Sequence, residues 1–160
     1  MKFWKRAAYK LAYHVFYPLL RFYRIYILSP RDSARAILVH KNELMLVHNI
    51  GTRRWSLPGG TLEKGETPEQ CVMRELMEEL KITDATIDYK LGAYHSMHHG
   101  EQVWVHVFVV QATSFFHKRQ WEIDRAEWFA LRDIPSTLSP ATSRRIGDYK
   151  NGLRETENFW

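Results

Sequence analysis

Apolar positions along the chain change period, and each change predicts an element. Ala34 to Val39 and Glu43 to His48 are apolar or alternating runs joined by His40-Lys41-Asn42, the pattern of a hairpin. Two longer runs follow, about 85–95 and 102–112, separated by a predicted loop, Ser96-Met97-His98-His99-Gly100-Glu101. In the second run Val103, Val105, Val107 and Val109 alternate with Trp104, His106, Phe108 and Val110, so that strand is expected to be largely buried on both faces. A loop over 113–125 precedes a short strand near 127–131. Between these strand patterns the period becomes helical: Val72, Met73, Leu76 and Leu80 form one stripe over 67–80. Thr67 is placed as N-cap, Pro68 in the first helical position and Gln70 to close a capping box. Ser139-Pro140 opens a second predicted helix reaching about Lys150, and residues 151–160 stay unassigned as a polar tail.

The side of the first helix away from the stripe carries the chemistry. Glu75, Glu78 and Glu79 stand at i, i+3 and i+4 beside Arg74, so three like charges share one face and destabilise it. A divalent cation removes that cost, and hard oxygen donors suit Mg²⁺ or Mn²⁺. The competing reading is an ordinary solvated acidic face. Just upstream, Leu57-Pro58-Gly59-Gly60 supplies adjacent glycines that let backbone approach a ligand closely.

The segment Gly60–Ile82 resembles the signature of the Nudix hydrolases, G-x5-E-x7-R-E-U-x-E-E-x-G-U, where U is a bulky aliphatic residue. Gly60, Glu66, Arg74, Glu75, Leu76, Glu78, Glu79 and Ile82 match it, and Lys81 stands in place of the final glycine. Likeness continues through Trp55–Gly60 upstream and through Glu127-Trp128-Phe129 and Asp133-Ile134-Pro135 downstream, covering roughly 33–135. The departure at Lys81 touches the helix end, where a left-handed cap on a non-glycine residue costs about 1 kcal/mol.

The resemblance implies an α/β fold, an αβα sandwich around a mixed sheet, over residues 31–150. It implies hydrolysis of a phosphoanhydride with Mg²⁺, or Mn²⁺ in its place. Glu75, Glu78, Glu79 and the Gly60 carbonyl are then the expected metal ligands. Arg74 is expected to pair with Glu66 or Glu78 and so, together with Glu66, to support the site. The base that takes the water's proton is left open among Glu78, Glu79 and the loop residue Glu122, with Glu101 and Glu127 as weaker candidates. Glu63 is either a second metal ligand or an exposed acid. For substrate, Arg53 and Arg54 are candidates to grip phosphate, and His98 is a candidate for phosphate or base contact. Trp55 is read as core rather than as a stacking platform. His95, His98 and His99 have no cysteine or acid at zinc-site spacing.

Composition narrows the setting. The chain has 160 residues, 45% of them hydrophobic, enough for one modest domain. Cys71 is the single cysteine, so no internal disulfide forms, and a reducing cytoplasm suits it. It is read as a buried thiol. The net charge of +5 suits anionic substrates or surfaces. Much of that charge lies in residues 1–28, where Lys2, Lys5, Arg6, Lys10, Arg21 and Arg24 occur without an acid. Apolar residues such as Phe3, Trp4, Leu11, Phe16 and Leu20 interleave with them, which predicts a basic, aromatic amphipathic helix over about 1–30, kinked or split at Pro18. Three roles stay open for it: packing on the domain or on a second subunit in a homodimer, lying peripherally on an anionic membrane surface, or contacting nucleic acid. No run in it is long enough to span a bilayer.

The functional expectation is a metal-dependent pyrophosphohydrolase acting on a nucleoside diphosphate linked to another moiety, or on a nucleoside triphosphate. The alternatives are a hydrolase of capped or triphosphorylated RNA 5′ ends, and a non-catalytic nucleotide-binding module. Against the last stands the crowding of three carboxylates, which simple binding does not require.

Overall fold

The computed structural model describes residues 31–49, 51–98, 100–113 and 123–160. Among the described residues seven strands and two helices follow in chain order: β1 (Ser33–His40), β2 (Glu43–Asn49), β3 (Gly59–Thr61), α1 (Pro68–Leu80), β4 (Ala85–His98), β5 (Glu101–Ala112), β6 (Ile123–Ala130), α2 (Pro140–Lys150) and β7 (Thr156–Phe159). The predicted basic helix over 1–30 lies outside the described residues.

The strands form one mixed sheet in the order β6-β2-β1-β5-β4-β7, with β3 also paired to β1. Strand β1 is its centre. It runs parallel to β5 over Ser33–Val39, and on its other edge it pairs antiparallel with β3 at its start and β2 at its end. The β1–β2 connection is the predicted tight hairpin, and Lys41 takes a φ of 53° in it. Strand β5 is buried from Val105 through Val110 except at His106, which is half-buried. That agrees with the near-continuous apolar run expected of a central strand.

Among the described residues one helix lies on each face of the sheet. Cys71, Val72, Leu76 and Leu80 of α1 pack on Ala34, Ala36, Leu38, Phe108 and Val110. On the opposite face Ile146 and Tyr149 of α2 join Ile37, Leu44, Leu46, Tyr94 and Val107. Helix, sheet and helix therefore stack as an αβα arrangement around two apolar layers. Both helices start as their sequences predict. Thr67 caps α1 with the full capping box to Gln70, and Ser139 caps α2 through the Thr142 amide. Lys81 closes α1 in the left-handed conformation, φ 58° and ψ 30°.

Two elements differ from the sequence expectation. The loop predicted over Ser96–Glu101 is mostly strand: β4 and β5 pair in register as far as His98 and Glu101. A turn containing Gly100, at φ 84°, needs only two residues. Residues 151–160 are not a free tail throughout, because Thr156–Phe159 adds β7 parallel to β4.

Candidate active site

The site is built where β3 meets the second half of α1. Gly59 has a φ of 130°, and a Cβ there would stand 2.2 Å from the Ala34 carbonyl oxygen, so only glycine fits. Gly60 marks a close approach rather than a special dihedral. A Cβ on it would lie 2.1 Å from Oε1 of Glu75, which means the Glu75 carboxylate rests directly on the strand backbone. The Gly59 amide donates to Oε2 of Glu79 at 2.9 Å. Strand and helix thus meet through Glu75 and Glu79.

Arg74 organises the rest. Its Nε and Nη2 donate to both carboxylate oxygens of Glu66, at 2.8 and 3.0 Å, a bidentate pair. Its Nη1 reaches Glu75 Oε1 at 2.9 Å and Glu78 Oε2 at 3.3 Å, while Nη2 also donates to the Thr61 carbonyl at 3.1 Å. Glu66 in turn accepts the Glu63 amide at 2.8 Å, so the loop before α1 is tied to the helix through one guanidinium. The Arg74 bonds hold the Glu66 carboxyl below its ordinary range, and those to Glu66 and Glu75 raise the guanidinium.

Glu75 behaves in the opposite way. Burial pushes its carboxyl up, against the pull of Arg74 and Arg35. The loss of hydration on burial outweighs the two guanidiniums, and the Glu78 charge adds to it. Cys71 lies beneath: its Sγ is 3.7 Å from the Gly60 carbonyl oxygen and 3.6 Å from Arg74 Nη2. Burial first, then the Glu66 charge, pushes the thiol up to about 11, so it is a packed thiol and not a nucleophile.

The donor set fits a hard cation. Glu75, Glu78, Glu79 and the Gly60 carbonyl offer oxygen only, as Mg²⁺ or Mn²⁺ prefers. Among the described residues no three acid, imidazole or thiol groups converge as a metal cluster. Glu75 and Glu78 are turned onto Arg74, and Glu79 onto the Gly59 amide.

The other sequence candidates fall elsewhere. Arg53 and Arg54 are exposed in the turn before Trp55. Trp55 is 6% exposed and packs edge-on against His48 and Phe129, a core residue as read. Glu127 is exposed on β6 between Ala126 and Trp128. Those two neighbours pack on the α1 side, so strand alternation turns Glu127 away from the carboxylates. Glu63 and Glu101 are exposed. Glu122, His99 and the side chain of His98 lie outside the described residues. One contributor escaped the sequence reading: Arg35, in the middle of an apolar strand, donates from Nη1 to the Gly59 carbonyl. A lone arginine in Ala34-Arg35-Ala36-Ile37-Leu38 was the signal available.

Comparison with known proteins agrees with this geometry. The model of the NUDIX domain matches residues 25–148. A putative 8-oxo-dGTP diphosphatase of Bacillus subtilis (strain 168) is 27% identical over 120 residues, covering 74% of this chain and 78% of that protein. An ADP-ribose pyrophosphatase of Methanocaldococcus jannaschii is 31% identical over 142 residues, covering 83% and 82%. With other relatives the shared part falls to half of their length or, for the mRNA-decapping proteins of Saccharomyces cerevisiae, to a tenth. Among solved structures, a NUDIX hydrolase from Nitrosomonas europaea superimposes with a TM-score of 0.68 at 27% identity, covering 79% of this chain and 93% of that one.

Proposed function

The chain belongs to the Nudix hydrolase family, enzymes that cleave phosphoanhydride bonds, and on that premise we propose a metal-dependent pyrophosphohydrolase. Its substrate is a nucleoside diphosphate linked to a further group, or a nucleoside triphosphate. The observation that carries this reading is the glutamate set Glu75, Glu78 and Glu79, held against Gly59 and Gly60 with too little protein cation to balance it. The activities named for the relatives, on 8-oxo-dGTP and on ADP-ribose, support a nucleotide with a phosphoanhydride bond without choosing between a triphosphate and a substituted diphosphate.

Glu75, Glu78, Glu79 and the Gly60 carbonyl would hold Mg²⁺ or Mn²⁺. When bound, the ion neutralises the diphosphate and acidifies water. The protein's own part is positioning. Arg74 fixes Glu66 and the preceding loop, so that the helix carboxylates meet the substrate from one side. Water attacks phosphorus, its proton passes to a carboxylate, and the bond from phosphorus to the bridging oxygen breaks. Glu79, Glu78 and Glu122 are the bases open to that step. Residues 1–28 have no assigned role in it.

The test is phosphate and mononucleotide release by the full chain across nucleoside triphosphates, nucleoside diphosphate sugars, dinucleoside polyphosphates and capped RNA, with Mg²⁺ or Mn²⁺. Turnover of at least one nucleotide, abolished by chelation, is expected. Release from capped RNA alone would transfer the assignment to RNA ends. Release from no member would overturn the hydrolase reading.

A further inference from the structure

The α1 face of the sheet does not end where the helix stops covering it. Ala34 lies opposite Gly60 on one side and His106 on the other, and His106 lies opposite Ala93. Paired residues point to the same face, so His106 stands on the carboxylate side, two strands from Gly60. With strands about 4.8 Å apart, that is roughly 10 Å. Two residues back along β5 on the same face is Trp104, paired with His95. The Trp104 and His95 rings meet edge to face, with centroids 5.7 Å apart and planes at 72°. Phe159 of β7 closes on the other side of His95 at 4.0 Å. Trp104 and His95 are half-buried, while Met97 and Phe159 are 59% and 61% exposed. This is a corner of aromatic rings, open to solvent, on the same face as the glutamates.

We propose that the Trp104–His95 corner seats the nucleobase of the substrate. The inference rests on the pyrophosphohydrolase reading above and specifies its site. An edge-to-face pair leaves ring surface available for a planar group, and stacking on such surface is tolerant of base identity. By strand spacing the corner lies roughly 12 Å from Gly60, a separation of the order that a ribose and a diphosphate span. His106, on the path between, has Nδ1 buried without a partner. Burial and Lys90 favour its neutral form, opposed by Asp32 and Glu69. Trp104 is itself fixed from behind, its amide donating to Asp32 Oδ1 at 2.8 Å. A second copy of the chain is a poorer occupant. Four partly exposed side chains fall far short of the roughly 800 Å² per partner that a stable interface buries.

The experiment compares full-length wild type with Trp104→Ala, His95→Ala and Trp104→Phe. It reads the ratio of kcat/KM for the nucleotide turned over in the panel to that for 5-phosphoribosyl 1-diphosphate, a diphosphate ester without a base. The ratio is expected to fall at least about tenfold in both alanine variants, mainly through KM, and to recover in Trp104→Phe; tenfold is about 1.4 kcal/mol, within the range of one base stack. An unchanged ratio in both alanine variants overturns the proposal. So does a change in solution mass on Trp104→Ala, which would make the corner an interface between copies. If no nucleotide is turned over, the hydrolase reading fails by itself and the corner is read by binding. Saturation transfer to the base protons of AMP and UMP, with Mg²⁺ present, should occur in wild type and be lost in Trp104→Ala. Equal or absent transfer in both overturns the corner as a base site.

Discussion

Two arginines anchor the two faces of this sheet, and they are set in opposite electrostatic balance. Arg145 on α2 is 3% exposed and lies 2.8 Å from a single carboxylate, Asp148. Its guanidinium stacks 3.7 Å from the Tyr94 ring centroid and donates to the Phe159 carbonyl, while Asp148 also accepts the Tyr94 hydroxyl. One cation therefore meets one anion beside an aromatic ring and a backbone carbonyl, although Nε itself makes a close ion pair without hydrogen-bond geometry. Arg74 on α1 serves Glu66, Glu75 and Glu78 together, with Glu79 one residue away. A balanced cluster stabilises the fold and needs nothing more. An anion-rich cluster carries like charge that a cation can offset.

The largest effect is expected on the balanced side. Arg145→Met should destabilise the protein by about 3 kcal/mol, since Asp148 loses its cation and Tyr94 its stacked guanidinium. Chemical denaturation would measure it, and turnover per folded molecule should hardly change. On the other side, Glu78→Gln or Glu79→Gln should slow turnover at least about a hundredfold, roughly 2.7 kcal/mol of barrier. Folding should survive or improve slightly as like-charge repulsion falls. Near-normal turnover in both would remove the carboxylates from the chemistry.

Smaller effects sharpen the contrast. Glu66 is a carboxylate with a depressed folded-state pKa. Its contribution is therefore complete above its ordinary value near 4.5 and is lost as pH falls through the lower folded value. Glu66→Gln should cost about 1–2 kcal/mol at neutral pH, and the difference from wild type should shrink under acid. Denaturation midpoints from pH 7 downward test this; a difference that grows toward low pH would contradict it. Smallest is Lys81→Gly. It relieves a left-handed φ at the end of α1 and should stabilise by up to about 1 kcal/mol with turnover unchanged.

What was legible in the sequence was what is encoded locally. Thr67 and Gln70 are three residues apart, and their reciprocal bonds follow from that spacing. The α1 stripe, the β1–β2 hairpin and the buried middle of β5 are likewise matters of period. Strand β7 was illegible because its partner β4 is some sixty residues earlier, and three of its four residues are exposed, leaving no alternation to read. The β4–β5 hairpin was misjudged because His98-His99-Gly100 reads as loop, although its strands are held by pairing across the turn. In the site, the Arg74–Glu66 pair was foreseen from the motif. The Glu79 bond to the Gly59 amide and the Arg35 bond to the Gly59 carbonyl depend on how β1 and β3 meet, which no local spacing records.

The central claim is that the carboxylates of the α1 face, and not the Arg145–Asp148 pair of the α2 face, bind a divalent cation. Mn²⁺ binding to the full-length protein, followed by electron paramagnetic resonance, tests it most directly. Wild type and Arg145→Met should bind Mn²⁺ alike, whereas Glu75→Gln and Glu79→Gln should each weaken binding at least about tenfold. Equal Mn²⁺ affinity in wild type and in both glutamine variants would contradict the account.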